Sequence, residues 1–122
     1  MDLVDRNTIQ TLRELEIKNG SLFLDSLIDM YIENLNETVN KMSTLLENKS
    51  FNELYREAHT LKSSSANLGI KFVEEISKVI EYKIIKKDFN NPEEFSLLIK
   101  EISNKLIEIA NLLTELKVKK VI

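Results

Sequence analysis

The sequence predicts an all-α domain: an antiparallel up-down four-helix bundle with a short extra helix at its N-terminus. Three observations predict it. Apolar residues recur at alternating steps of three and four through most of the chain, which traces one stripe along a helix and not the period of two of a strand. Helix starts and stops stand where those stripes begin and end. Two glycines and one proline in 122 residues, with 43% hydrophobic and 30% charged side chains, favour helices over a β-rich fold. A chain of this length suits a single domain, 1–122, that buries roughly two-thirds of its unfolded surface.

The first helix spans about 5–18, with Ile9, Leu12, Leu15 and Leu3 or Val4 on its apolar side, and Asn19-Gly20 stops it. Ser21 is placed to cap a long second helix, about 21–48, whose inward face is Leu24, Leu27, Ile28, Tyr31, Leu35, Val39, Met42, Leu45 and Leu46. At ~1.5 Å per residue this helix is about 40 Å long. The third, 50–68, starts on the pair Ser50 and Glu53, an S-x-x-E capping box, and stops at Gly69, where a left-handed residue is wanted. Its stripe is Phe51, Leu54, Ala58, Leu61, Ser65 and Leu68.

The fourth helix, about 70–87, carries Phe72, Val73, Ile76, Val79, Ile80 and Ile84 inward, and residues 88–91 turn the chain. The fifth, 92–117, opens with Asn91 as N-cap, Pro92 in the first helical position and Glu93 and Glu94 in the first turn, where negative charge is favourable. Phe95, Leu98, Ile102, Leu106, Ile109, Leu113 and Leu116 form its stripe; from Lys117 to Ile122 the pattern is lost. Short connections make the four long helices antiparallel neighbours, with the first helix closing one end.

Composition also limits function. A net charge of −3 argues against nucleic-acid binding as the main task. With no cysteine there is no disulfide and no thiolate chemistry. No charged-then-apolar leader opens the chain and no run of 18 apolar residues occurs, so a cytoplasmic protein, or a cytoplasmic piece of a larger one, without membrane insertion is expected.

The only histidine, His59, lies roughly 130° from the centre of the third helix's stripe, which turns its imidazole to solvent near mid-helix. Ser63 and Ala66 follow on its face, and Arg56 and Lys62 flank it by three residues on either side. A lone titratable nucleophile among small residues, beside a cation, can be approached by another protein's backbone and would favour an anion on the ring. A surface histidine is more often only a solvated side chain. Against that, Ser63, Ser64 and Ser65 run together inside a helix, where Ala or Leu would be more stable, so small size was wanted there.

At these positions the chain resembles the histidine-containing phosphotransfer (HPt) domains of two-component phosphorelays. Their signature is His-x-x-Lys-Gly-Ser-Ser-x-x-Leu-Gly; here it reads His59-Thr-Leu-Lys62-Ser63-Ser64-Ser65-Ala-Asn-Leu68-Gly69. Gly20, Phe23, Leu24, Leu27, Ile28 and Tyr31 resemble the family's second-helix pattern. Two positions depart. Ser63 stands where glycine is usual, still small enough for close approach. Many members place a glutamine about 22 residues after the histidine to orient the ring; ungapped counting puts Glu81 there, and the orienting role is not carried over to it.

The resemblance implies that His59 is the phosphoacceptor and that Lys62 stabilises phosphoryl charge. Tyr55, Arg56, Ser63 and Ala66 are then expected at the partner contact, with Ser64, Ser65, Leu68 and Gly69 as structural parts of the motif. It implies a carrier between response-regulator receiver domains, or between a receiver and a hybrid sensor histidine kinase, with no cofactor of its own, because Mg²⁺ sits on the receiver. A monomer is expected.

No nucleotide-binding loop is present for self-phosphorylation. One histidine and no cysteine argue against a zinc site, and the paired Glu-x-x-His elements of a di-iron bundle are absent from the sequence. Glu74-Glu75 and Glu93-Glu94 read as solvated faces or helix-start charges. Two alternatives share the bundle: a helical interaction module that is never phosphorylated, and the phosphoacceptor domain of a chemotaxis-type kinase. The latter usually has two glycines after the lysine, which Ser63-Ser64 does not match.

Overall fold

In the computed structural model, which describes residues 2–117, the chain forms five α-helices and no strand among the described residues: α1 (Arg6–Asn19), α2 (Leu24–Glu47), α3 (Phe51–Leu68), α4 (Lys71–Ile85) and α5 (Pro92–Glu115). The four long helices form a ring in chain order, α3 against α4, α2 against both α3 and α5, and α4 against α5. Helix α1 lies across α2 and α3 at one end. The bundle is the predicted one.

The stripes supply its interior. Leu24, Ile28, Met42, Leu54, Ile80 and Phe95 are completely buried. Each such side chain contributes roughly 1.5–3 kcal/mol relative to exposure. Three residues expected to face inward do not: Leu15, Leu27 and Val79 are 42%, 41% and 44% exposed. They sit at the edges of stripes too narrow to hold every apolar residue. In the ring's α2–α3 wall a polar pair replaces apolar packing, the Tyr31 hydroxyl and Ser65 Oγ hydrogen-bonding at 2.8 Å, both buried.

The helix ends depart most from expectation. Asp5 does cap α1, its carboxylate accepting from the Asn7 N–H at 3.1 Å. Ser21 does not cap α2, which begins three residues later. The cap comes from α1 instead: Glu16 Oε2 accepts from the Phe23 and Leu24 N–H groups at 2.6 and 2.8 Å. Neither Ser50 nor Asn91 makes a side-chain capping bond. The capping box at Ser50 is therefore not formed. The Ser50 N–H is already used by the Leu45 carbonyl at 2.9 Å, closing α2 through Lys49 in the left-handed region at φ 56°. Lys87, at φ 54°, closes α4 in the same way, which ends that helix at Ile85 and not at residue 87.

Residues 86–91 carry the chain to α5 beneath an aromatic cluster. Phe51 stacks on Phe89 with centroids 4.1 Å apart and tilts against Phe95 at 5.7 Å. Lys83, 9% exposed, lies over the Phe95 ring and pairs with Asp88 at 3.0 Å and with Glu94. Glu94 is thus a tie between α4 and α5 as well as a helix-start charge. At the opposite end the carbonyl of Gly69, at φ 73°, accepts from the Asp5 N–H at 2.7 Å. A Cβ there would lie 2.7 Å from Thr8 Cβ, so both conformation and space require glycine. Of the tail, 118–122 lie outside the described residues.

Candidate functional site

Helix α3 is buried along Leu54, Ala58, Leu61, Ser65 and Leu68, which fixes its opposite face outward. His59 lies on that face with its side chain 57% exposed. Ser63 and Ala66 are exposed on the following turns, and Arg56 is exposed one turn before, with no salt bridge among the described residues. No bulky side chain therefore follows His59 along this face. Tyr55, half-buried, lays its ring nearly parallel to the imidazole, the planes 14° apart and the centroids at 6.0 Å. Thr60 and Ser64, the next positions toward α2, border an apolar groove floored by Leu27, Met30, Tyr31 and Leu61.

Beneath the ring lies Glu81 of α4, 5% exposed. Its Oε1 meets His59 Nδ1 at 2.5 Å and its Oε2 meets Lys62 Nζ at 2.6 Å. Burial pushes this carboxyl's pKa up, but the hydrogen bonds from Lys62 and His59 outweigh burial and hold it below the usual carboxylate range. The same contact to Glu81 raises the Lys62 ammonium, against a smaller opposing effect of desolvation. An ionised carboxylate only accepts, so the ring proton belongs on Nδ1 and the free lone pair on Nε2. The other carboxylate on this turn, Glu57, is held by Lys41 of α2 at 2.6 Å.

The remaining motif residues have structural positions. Ser65 meets Tyr31, Ser64 Oγ donates to the Leu61 carbonyl at 3.2 Å, Leu68 is buried and Gly69 makes the corner with α1. Burial raises the Tyr31 hydroxyl's pKa, so it stays protonated and able to donate to Ser65. Glu81 is the residue that sequence reasoning left without a role. The signal was its register: it follows Ser77 by four and precedes Ile84 by three, on the flank of the α4 stripe that faces α3.

No group of three or more His, Cys, Asp or Glu side chains among the described residues could hold a metal ion. No helix among them is long and apolar enough to cross a membrane.

The all-helical bundle presents one histidine, anchored from behind and open in front. The family model described as "Hpt domain" matches residues 26–117, and the chain belongs to that family. Hpt domains are phosphotransfer carriers of two-component systems that interact with receiver domains and kinases. No curated protein and no solved structure matches the chain.

Proposed function

We propose that this domain is a phosphorelay intermediate: His59 accepts a phosphoryl group from the aspartyl phosphate of one receiver domain and passes it to the aspartate of another. The observation that carries this reading is the 57% exposed imidazole whose Nδ1 is engaged by Glu81, leaving Nε2 for an incoming phosphorus. Nε2 attacks in line, an N–P bond forms, the P–O bond to the acyl oxygen breaks, and its electron pair leaves with the receiver's carboxylate. The reverse sequence, with a second carboxylate attacking phosphorus, unloads the ring. Positioning and charge do the work in such a transfer, since the acyl phosphate is already reactive.

Lys62, beside the ring, adds positive charge near the phosphoryl oxygens while steadying Glu81, and Arg56 is a further cation on that face. Mg²⁺ belongs to the receiver in this scheme. Ser63 and Ala66 leave room for the receiver's backbone, Tyr55 borders the ring, and the α2–α3 groove offers apolar area for docking. The domain acts as a monomer on the cytoplasmic side, between receivers or between a receiver and a hybrid kinase.

The test is incubation with a phosphorylated receiver and Mg²⁺, followed by assay of the label on this chain. Acid-labile, base-stable label that disappears in His59→Gln is expected; label persisting in that variant rejects the assignment. A domain that binds receivers but never takes label is the interaction module instead.

A further inference from the structure

Glu81 places a full negative charge, and not merely a hydrogen-bond acceptor, behind the ring. We propose that Glu81 is the counter-ion of phosphorylated His59: it keeps the proton on Nδ1 and thereby keeps the phosphoryl group quick to leave. The inference rests on the relay reading for its biological use, but its chemistry belongs to the ring alone.

When the Nε2 lone pair forms the N–P bond and Nδ1 keeps its proton, the ring acquires a positive charge. The carboxylate 2.5 Å from Nδ1 matches that charge as it develops, and it is already fixed, being 5% exposed with its second oxygen on Lys62. A carboxylate behind a histidine serves triad hydrolases in this manner, holding the tautomer and stabilising the imidazolium. On unloading, the N–P electron pair returns to Nε2. If Nδ1 is protonated, a neutral imidazole leaves; if it is not, an imidazolate must leave, which is far poorer. A side chain that holds the Nδ1 proton to higher pH therefore extends the range over which the carrier can unload.

Other groups face the same ring. On α3 these are Tyr55, Arg56 and Lys62; on α4, Glu81, with Glu74 close enough to act on Lys62. Glu57 is taken by Lys41 of α2. Arg56 and Lys62 oppose a positive ring, and among the described residues Glu81 alone bonds to Nδ1. Lys62 thus has two opposite effects, drawing charge from Glu81 while favouring the phosphoryl oxygens.

The experiment loads wild type, Glu81→Gln and Glu81→Ala with phosphoramidate, a small phosphoryl donor that needs no receiver. Loss of phospho-His59 is followed by ³¹P NMR across pH, and ¹⁵N NMR of the unloaded ring locates its proton. Nδ1–H in wild type is expected, and in Glu81→Gln the pH above which phosphoryl loss slows falls by about one unit, so that loss between the two midpoints is up to about tenfold slower. An unchanged midpoint in Glu81→Gln overturns the proposal, whatever Glu81→Ala does, because an amide that serves equally well leaves the carboxylate only an orienting role. A ring protonated on Nε2, or one that phosphoramidate cannot load, overturns it too. A domain that shows the predicted pH shift yet takes no label from any phosphorylated receiver keeps this inference and loses the relay reading.

Discussion

Replacing Glu16 by alanine tests how the first helix is joined to the bundle. This carboxylate, 2% exposed, accepts from the Phe23 and Leu24 N–H groups and from Arg13, the last at 2.8 Å. Leu24 is fully buried, so its N–H has no ready substitute acceptor. Loss of an N-cap acceptor costs roughly 0.5–2 kcal/mol, and hydrogen bonds to a charged group are worth roughly 1.5–3 kcal/mol each. Arg13 softens the loss, because it keeps Asp25 at 2.8 Å and the Leu116 carbonyl at 3.0 Å. A net destabilisation of about 3 kcal/mol follows, which for a domain of this size lowers Tm by roughly 12 °C. With m near ~2 kcal/mol/M, the urea midpoint falls by about 1.5 M.

The same residue sets a pH signature. The Leu24 and Phe23 N–H groups and Arg13 overcome burial and hold the Glu16 pKa below its ordinary value in the folded state. A depressed folded-state pKa means stability that is present above the unfolded value of about 4.3 and lost as pH falls through the folded one. The gap between wild type and Glu16→Ala in urea midpoint, followed by circular dichroism, is therefore full at pH 7 and closes below about pH 4. A gap under ~0.5 kcal/mol at neutral pH, or one that persists unchanged in acid, refutes the reasoning, since such values are those of ordinary surface substitutions.

Gly69→Ala and Gly20→Ala form a matched pair. Both residues have positive φ, 73° and 66°, but an added Cβ meets Thr8 at 2.7 Å only at Gly69 and nothing within 4 Å at Gly20. Gly20→Ala is expected to cost about 1 kcal/mol and Gly69→Ala about 3 kcal/mol, and equal urea midpoints would show that the α1 corner is not close-packed. Lys62→Ala should slow phosphotransfer about tenfold with unchanged helical circular dichroism, a change of one decade per interaction in the barrier; an unchanged rate removes Lys62 from the site. Ser63→Phe puts a large ring one turn from His59 and should abolish receiver complex formation in a titration while leaving loading by phosphoramidate intact; unimpaired complex formation means the receiver approaches from another side.

The bundle was readable from the sequence because burial on one side of a helix leaves a repeating trace, and each of α1 to α5 had one. What escaped were groups whose partners lie on other helices. Ser21 and Ser50 have the right chemistry to cap their helices, but Glu16 reaches across from α1 to one start, and the N–H before the other is consumed in closing α2. Lys49 and Lys87 in the left-handed region could not be anticipated, since glycine or asparagine is the residue that signals it. Glu81 belongs with these. Its distance along the chain from His59 was countable, but spacing alone did not give it a role. Its use of one oxygen for His59 and the other for Lys62 depends on the register of α4 against α3, which no single helix records. The matched family region begins at residue 26, so Arg13 and Glu16 of α1 lie outside it, while the Gly69 corner that receives α1 lies within it. Glu16 acts at the α1 end of the bundle and Glu81 on the α3–α4 pair, so the two carboxylates can be perturbed separately, one read in stability and the other at His59.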